Sequence, residues 1–296
     1  MAIVISKLHP MFVGEVAGAD LSKRMNEVTF GEIQAALDEH AVLLFHGTPV
    51  AEEAQIAFAM RFGPLEPLNG VLTTGVTPRI GRQLADISNL DENGAVLSQR
   101  DRRRMFALGN QLWHTDASFK RIPAKYSLLH AHSVTPEGGE TQFVDTRAAY
   151  DALPPKMKER IETLIAEHSI FSSRAKLGFT DFSEEERRAL PPVRRSLVRV
   201  HPGSGRKALY NIGSHASHIV GWPVPDGRML ISELMEHATQ PQFVYTHTWA
   251  VGDLIIWDNR CTLHRGRPYD EGNHRRDMRR ATIQDLDPAA QDLSAA

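Results

Sequence analysis

A histidine and an aspartate in segment 113–116 are the residues whose types and spacing most clearly suggest chemistry. His114 and Asp116 are two positions apart, and on a strand this spacing points both side chains to one face. A third ligand from a distant strand would complete a two-histidine, one-carboxylate set, which leaves positions on Fe(II) open for substrate and O2. His264, at the end of the segment 257–264 that follows an apolar run, is the candidate for that ligand.

This spacing alone does not decide the site, because the chain has 14 histidines. A histidine and an aspartate that simply hydrogen-bond in a loop would give the same pattern. A second set, His130 and His132 followed by Glu137, matches the metal-binding pattern of cupins, but Glu137 falls in a predicted turn and the later cupin pattern is missing. His215 and His218 are three apart with no carboxylate beside them, which favours a polar cluster.

Further polar residues have types that would suit a site for an acidic ligand. Thr141 follows two glycines and a glutamate, and Arg276 and Arg280 are four positions apart. On an extended segment this spacing places both arginines on one face, and a planar guanidinium is suited to binding carboxylates. Asp258 and Asn259, between an apolar run and the third candidate ligand, either support the metal ligands or form a turn.

Hydrophobic periodicity predicts the elements that must position these residues. The predicted helices span residues 26–40, 52–62, 146–153, 155–168 and 226–239. The predicted strands span residues 41–45, 126–132, 141–144, 242–249, 254–257 and 279–284. Thr29 with Glu32 fits a capping box for the first helix. Strands joined by short turns, with helices outside them, favour an antiparallel barrel or jelly roll with flanking helices over an alternating βαβ fold.

The composition of the 296 residues, with 42% hydrophobic and 24% charged, is typical of a globular protein, and we expect a single domain spanning 1–296. Residues 65–109 contain scattered glycines and little periodicity, which predicts a lid over an active site. The alanine-rich stretch 286–296 predicts a flexible tail.

Charge and hydropathy exclude two kinds of partner. A net charge of -2 gives no overall field to hold nucleic acid, and Asp101 interrupts the one basic run, residues 100–104. No segment reaches the roughly 18 apolar residues of a membrane span. The single cysteine, Cys261, fits a reducing compartment. We therefore expect a cytoplasmic protein with a small-molecule carboxylate substrate, and homo-oligomer formation stays open.

Four segments together resemble a known family. They are WHTD at 113–116, GGET at 138–141, WDNRCTLH at 257–264 and RRDMRRATI at 275–283. In order and spacing they resemble the Fe(II)/2-oxoglutarate-dependent dioxygenases of the taurine and 2,4-dichlorophenoxyacetate group, and the likeness is strongest to its 2,4-dichlorophenoxyacetate branch. The resemblance implies a double-stranded β-helix, that is, a jelly roll with flanking helices and a lid loop.

The resemblance also implies a role for each matching residue. His114, Asp116 and His264 would bind the iron and form the catalytic centre. Thr141 and Arg276 would hold the distal carboxylate of 2-oxoglutarate, the cosubstrate that is consumed with O2. These roles follow from the matching positions and not from the spacing alone.

The resemblance implies that Arg280 binds the acidic group of the substrate, while His201 and His215 either line the substrate pocket or have a structural role. The implied reaction hydroxylates the carbon next to the ether oxygen of an aryloxyalkanoate such as 2,4-dichlorophenoxyacetate, giving a phenol, glyoxylate, succinate and CO2. Residues 65–79 contain no lysine, where this branch of the family would supply a second cation. The alternatives are a sulfonate or sulfate ester substrate, a zinc hydrolase, or a metal-binding jelly roll without oxygenase activity.

Overall fold

The computed structural model describes residues 3–47, 50–68 and 78–295 and shows a strand-rich mixed fold. Its strands are β1 (Val4–Lys7), β2 (Gly14–Ala17), β3 (Val42–Phe45), β4 (Ala85–Asp86), β5 (Ala124–Ser133), β6 (Thr141–Asp145), β7 (Ile165–His168), β8 (Val193–Ser196), β9 (Val198–Val200), β10 (Lys207–Leu209), β11 (Ala216–Ile219), β12 (Val244–His247), β13 (Leu254–Asp258), β14 (Thr262–Gly266) and β15 (Asp277–Gln284). Its helices are α1 (Glu27–His40), α2 (Glu52–Met60), α3 (Arg102–Ala107), α4 (Thr146–Asp151), α5 (Pro155–Ile161), α6 (Ile170–Ala175), α7 (Glu184–Ala189) and α8 (Val224–Ala238). In the described ranges no helix has both the length and the apolar character needed to cross a membrane.

Seven strands form the major sheet, in the order β1-β2-β3-β13-β5-β15-β4. Its pairs are antiparallel except for β2 with β3. Because side chains alternate along a strand, Ile255 and Trp257 of β13 point into the molecule, while Leu254 and Ile256 pack with the outer helices. The middle of this sheet is therefore buried on both faces.

The minor sheet contains β12, β6 and β14, all antiparallel, and faces the major sheet. Phe143 of β6 reaches across to Trp257 of β13, with 5.6 Å between their ring centroids. Leu129 and Met278 of the major sheet are buried in the same interior cluster. No strand of the described residues joins the two sheets by backbone pairing. Two facing antiparallel sheets are the arrangement expected of a jelly roll, and the space between them is where the candidate site lies.

Helices cover the outer faces of both sheets. The outer face of the major sheet packs on α1 and α2 through a cluster that includes Ile33, Leu37, Phe58, Ile256 and Ile283. The outer face of the minor sheet packs on α4 and α8 through Val144, Ala149, Leu230, Leu234 and Leu263. Two small sheets, β11-β7-β8 and β10-β9, complete this second layer. Burying both outer faces leaves the sheets as rigid walls around the interior.

The N-cap of the first helix lies three residues before the predicted capping box. Asn26 is the N-cap, and its side-chain oxygen accepts a hydrogen bond from the Thr29 amide at 2.9 Å. The predicted box of Thr29 with Glu32 is therefore wrong, because Asn26 already satisfies the exposed amide. The helix ends at His40. Its C-cap, Ala41, has a left-handed backbone with φ of 60°, and β3 follows directly.

The predicted helix at 155–168 is wrong in its second half. Helix α5 ends at Ile161, and β7 then pairs with both β8 and β11. Ala166 and His168 of β7 are buried while Ile165 and Glu167 are half-buried, which is the alternation of a strand. The predicted strand 242–249 is also shorter than expected, because a 3-10 turn occupies Pro241–Phe243 before β12. The other predicted helices and strands are confirmed with shifted ends.

The predicted lid is only partly described, because residues 69–77 lie outside the described residues. Its described part is not wholly irregular and holds β4, α3 and a 3-10 turn. Arg79 joins this part to β15 through Asp277, at 2.8 Å. The stretch for which we expected a flexible tail also contacts the protein, since Arg199 bonds to Asp287 at 2.6 Å. These ion pairs fix both segments to the strands beneath them.

Candidate metal centre

The backbone brings His114 and His264 together directly. The amide of His114 donates to the His264 carbonyl at 3.0 Å, and the amide of His264 donates to the His114 carbonyl at 2.9 Å. His264 lies in β14, whereas the segment around His114 forms this one bridge and then turns at Asp116. The prediction that a regular strand carries both His114 and Asp116 is therefore wrong. A single bridge and a turn still point the two side chains at one place.

The three side chains converge in the interior. His114 Nε2 lies 3.9 Å from Asp116 Oδ1, and His264 Nε2 lies 3.8 Å from Asp116 Oδ2. The two imidazole centroids are 4.2 Å apart, and all three residues are at most 6% exposed. Donor bonds of about 2.0–2.2 Å let one ion span donor atoms up to about 4 Å apart, so the spacing fits a shared metal ion.

The hydrogen bond of the His114 imidazole also fits metal binding. His114 Nδ1 lies 2.7 Å from the Leu112 carbonyl, and since a carbonyl only accepts, this nitrogen must carry the proton. That leaves the lone pair of His114 Nε2 directed at the cluster, as in metal-binding histidines oriented by a carbonyl. Burial lowers the pKa of both His114 and His264. Neutral imidazole is the form that binds a metal.

Neighbouring groups keep the Asp116 side chain ionised and in position. Its Oδ2 accepts from Ser127 Oγ at 2.7 Å, its Oδ1 accepts from Arg280 Nη1 at 2.5 Å, and its amide donates to Asn259 Oδ1 at 3.2 Å. Burial raises the pKa of Asp116, but the charge of Arg280, the two nearby imidazoles and the Ser127 hydrogen bond outweigh it and lower the pKa to about 2. The site therefore offers one anionic and two neutral donors.

Ser127 and Asn259 form a small positioning network beneath this carboxylate. Asn259 Nδ2 donates to Ser127 Oγ at 3.0 Å, and Asn259 Oδ1 also accepts from Trp257 Nε1 at 3.1 Å. Asn259 thus supports the cluster, which is one of the two roles that the sequence left open, and Trp257 anchors it from β13. Asp258 does not share this role, because its carboxylate bonds to Arg260 and His201 instead.

A glycine lets a third segment approach the centre. A Cβ on Gly213 would lie 2.8 Å from the Cα of His114 and 2.9 Å from the Trp113 carbonyl, closer than backbone atoms tolerate. The Ser214 amide donates to that carbonyl at 2.8 Å. His215 follows, and its ring lies edge-on to the His114 ring with 5.9 Å between centroids. Segment 213–215 therefore forms one wall of the centre.

Thr141 and Arg276 lie near each other at the end of the interior. Trp249 Nε1 donates to Thr141 Oγ1 at 2.9 Å, and Arg276 Nη2 reaches the Gly139 carbonyl at 3.4 Å. Trp249, Gly139 and Arg276 line one cavity of about 80 Å³. Burial lowers the pKa of Arg276, and within the described ranges no carboxylate lies within 4.0 Å of its guanidinium. A half-buried cation without a carboxylate in ion-pair contact suits an acidic ligand.

The structure separates the two remaining predicted histidines. His215 lies beside the centre, where its Nδ1 is 3.1 Å from Ser118 Oγ and its ring packs on Phe119. His201 is placed with a different cluster, because its ring nitrogens lie 2.9 Å from Ser204 Oγ and 2.9 Å from Asp258 Oδ2. The structure thus gives His201 no contact with the three converging side chains, and both of its nitrogens are already engaged.

Comparison with known proteins agrees with this fold. A family model described as "Taurine catabolism dioxygenase TauD, TfdA family" matches residues 5–282. The chain belongs to this dioxygenase family. The predicted resemblance is thereby confirmed.

Similar proteins extend this result to the whole chain. The chain is 51% identical over 288 residues to an alpha-ketoglutarate-dependent 2,4-dichlorophenoxyacetate dioxygenase of Cupriavidus pinatubonensis, covering 96% of this chain and 99% of the relative. A protein of the same description from a Burkholderia species is 49% identical over 95% of this chain and 94% of its own length. A crystal structure of AAD-2 in complex with Mn(II) and N-oxalylglycine matches with a TM-score of 0.90 and 46% identity, covering 98% of this chain and 100% of that one. These matches confirm the predicted jelly roll.

Proposed function

We propose that this chain is an Fe(II)- and 2-oxoglutarate-dependent dioxygenase that acts on aryloxyalkanoates such as 2,4-dichlorophenoxyacetate. The observation that carries this proposal is the buried cluster of His114, Asp116 and His264, whose donor atoms all lie within 4.8 Å of one another. Two neutral imidazoles and one carboxylate are the donor set of non-haem iron oxygenases. The names of the similar proteins support the choice of cosubstrate and substrate.

In this proposal, His114, Asp116 and His264 hold Fe(II), which together with 2-oxoglutarate and O2 supplies oxidising chemistry that no side chain has. Thr141 and Arg276 hold the distal carboxylate of 2-oxoglutarate, which is supported by the cavity beside Arg276 and its lack of an internal anion. The buried walls between the sheets keep water from the reacting groups.

Arg280 is proposed to face the substrate's acidic group. Its Nη1 is taken by Asp116, but its buried Nε has no hydrogen-bond partner within the part of the chain that the structure describes. Anchoring the acid end fixes which carbon faces the metal, and a misplacement of about 1 Å can cost 10²-fold in rate. Hydroxylation of the carbon between the ether oxygen and the carboxylate gives a hemiacetal, which breaks its C–O bond to release a phenol and glyoxylate.

The test is turnover by the purified protein with Fe(II), 2-oxoglutarate and O2. We expect succinate to form in step with a phenol when an aryloxyacetate is present. The substrate panel includes alkyl sulfonates and sulfate esters, because a guanidinium accepts those anions too. Release of sulfite or sulfate without phenol would reassign the substrate, and no succinate with any substrate would refute the dioxygenase proposal in favour of a hydrolase or a non-catalytic metal site.

Two substitutions separate the proposed roles of the arginines. Arg276→Ala should raise KM for 2-oxoglutarate and leave KM for the aryloxyacetate nearly unchanged, and Arg280→Ala should do the reverse. Losing a hydrogen-bonded charge pair costs about 2–5 kcal/mol, so each affected KM should rise at least about 30-fold. Equal effects of both substitutions on both ligands would contradict the assignment.

A further inference from the structure

One arginine near the centre is buried without a counter-charge. Arg174 lies in α6 and is 4% exposed. Its Nη1 donates to Ser173 Oγ at 3.2 Å, while its Nε is buried with no hydrogen-bond partner among the described residues. Nor does a carboxylate of the described ranges lie within 4.0 Å of its guanidinium. Burying a cation in this way is costly unless something compensates it.

Two other buried arginines of this protein have a carboxylate partner, and a third, Arg195, donates instead to several backbone carbonyls. Arg147 pairs with Asp145 at 3.0 Å, and Arg199 pairs with Asp285 at 2.8 Å. Burial lowers the pKa of Arg174 to about 10, so its guanidinium still carries a positive charge at neutral pH. Among the described residues Arg174 has neither a carboxylate partner nor a set of carbonyl acceptors, which indicates that its anion comes from outside the chain.

The contacts of Arg174 place it one layer away from the metal ligands. Ser173 Oγ lies 3.2 Å from Ser214 Oγ, and the amide of Ser214 bonds to the Trp113 carbonyl next to His114. Arg174 is therefore linked through Ser173 and Ser214 to the backbone beside His114.

The surroundings of Arg174 fit an acid that carries an aromatic ring. Its guanidinium carbon lies 4.2 Å from the ring centroid of Phe106, and Phe106 packs edge-on against Phe179. The Ser173 and Ser214 hydroxyls bond to each other, which leaves one of their protons for a ligand. The free Nε belongs to the edge of the guanidinium that makes paired hydrogen bonds to a carboxylate.

We infer that Arg174 binds the carboxylate of the aryloxyalkanoate and acts as the second substrate cation in place of the lysine that residues 65–79 lack. This inference rests on the proposed function. One nitrogen of Arg280 is already bonded to Asp116. Arg174 has no ion pair with a carboxylate of the described residues that would have to break before a ligand could bind. Arg276 is excluded from this role because it lies at the cavity with Trp249 and Gly139, where 2-oxoglutarate is proposed to bind.

Gly109 keeps the guanidinium in this position. A Cβ on Gly109 would overlap the guanidinium of Arg174, so any other residue at 109 would displace it. Gly109→Ala therefore moves the charge without removing it. This variant tests whether acid binding depends on where the cation lies or only on its being present.

The experiment compares Arg174→Met, Arg174→Lys and Gly109→Ala with the unchanged protein. Each is given an aryloxyacetate and the matching neutral aryloxyacetamide, and kcat/KM is measured for both together with KM for 2-oxoglutarate. Binding of the acid to the metal-free protein is measured by calorimetry as a readout that needs no turnover. Arg187→Met is the matched control, because Arg187 also lies over a phenylalanine ring, Phe171, at 5.3 Å.

We expect Arg174→Met to weaken acid binding and kcat/KM at least about 30-fold, with less than about a threefold change for the amide and for 2-oxoglutarate. Gly109→Ala should show the same acid-specific loss, Arg174→Lys should recover part of it, and Arg187→Met should show none. Acid and amide declining in parallel, or an increase in KM for 2-oxoglutarate instead, would overturn the inference.

The outcomes distinguish this inference from the proposed function. Wild-type protein that forms no succinate with any aryloxyalkanoate refutes the proposed function, whatever the variants do. If the wild-type protein is active and the Arg174→Met variant still prefers the acid to the amide, the role of Arg174 is refuted but the proposed function is not. If Arg174→Met does not fold, Gly109→Ala gives the same decision with the guanidinium still present.

Discussion

Replacing Ser127 with alanine should weaken metal binding without breaking the fold. The Ser127 hydroxyl donates to Asp116 Oδ2 at 2.7 Å and accepts from Asn259 Nδ2 at 3.0 Å. A hydrogen bond to a charged group contributes about 1.5–3 kcal/mol, which corresponds to about 10- to 150-fold in affinity. Loss of groups that orient metal ligands typically costs about 10–100-fold. Both routes lead to the same range for Ser127→Ala.

The assay is an anaerobic titration of the protein with Mn(II) or Co(II). Binding is measured by calorimetry or by competition with a chelator. Ser217→Ala is the matched control, since Ser217 is also buried but donates to the Glu167 carbonyl in β7. We expect its metal affinity to stay within about twofold of wild type. Equal losses in both variants, or an unchanged affinity in Ser127→Ala, would refute the positioning network.

Three further outcomes follow from other contacts. Gly213→Ala should lower Tm and metal affinity, because its Cβ would crowd the His114 backbone at a cost of about 1–3 kcal/mol, and thermal unfolding with a metal titration checks this. Trp249→Phe removes the hydrogen bond to Thr141, so KM for 2-oxoglutarate should rise about 2- to 13-fold in steady-state assays. Burial, together with nearby positive charges, lowers the pKa of His168 from 6.5 to about 3. Between these pH values the unfolded chain binds a proton on His168 and the folded protein does not. Each pH unit below 6.5 should therefore lower the free energy of unfolding by about 1.4 kcal/mol. Urea unfolding at pH 7, 6 and 5 should show this loss in wild type and a shallower one in His168→Leu.

Local patterns in the sequence were enough to predict most of the framework. Helices α1 and α8 have apolar residues at helical spacing, and β5 and β13 are apolar runs between turns, so each carries its signal within a short window. The residues of the metal centre were found through motif order, which links His114 and Asp116 to His264 across most of the chain. The structure brings these three side chains together, and their role as iron ligands stays a prediction.

Features that depend on distant partners could not be predicted. The β7 segment continues the helical spacing of α5, and only pairing with β8 and β11 decides that it is a strand. The sequence likewise gave no sign that Arg280 pairs with Asp116, or that Ser127 lies beneath it. Arg174 carries no motif, and its missing counter-charge becomes visible only when every neighbour is known.

The chain order of the major sheet matters while the protein is being made. Strand β13 lies between β3 and β5, although it is synthesised long after both. Until it arrives, β3 and β5 each offer an open edge, and open edges are prone to pair with other chains. His114 likewise has no bridge partner until residue 264 has left the ribosome. The nascent chain therefore passes through a stage in which it is most vulnerable to aggregation and cannot yet bind a metal.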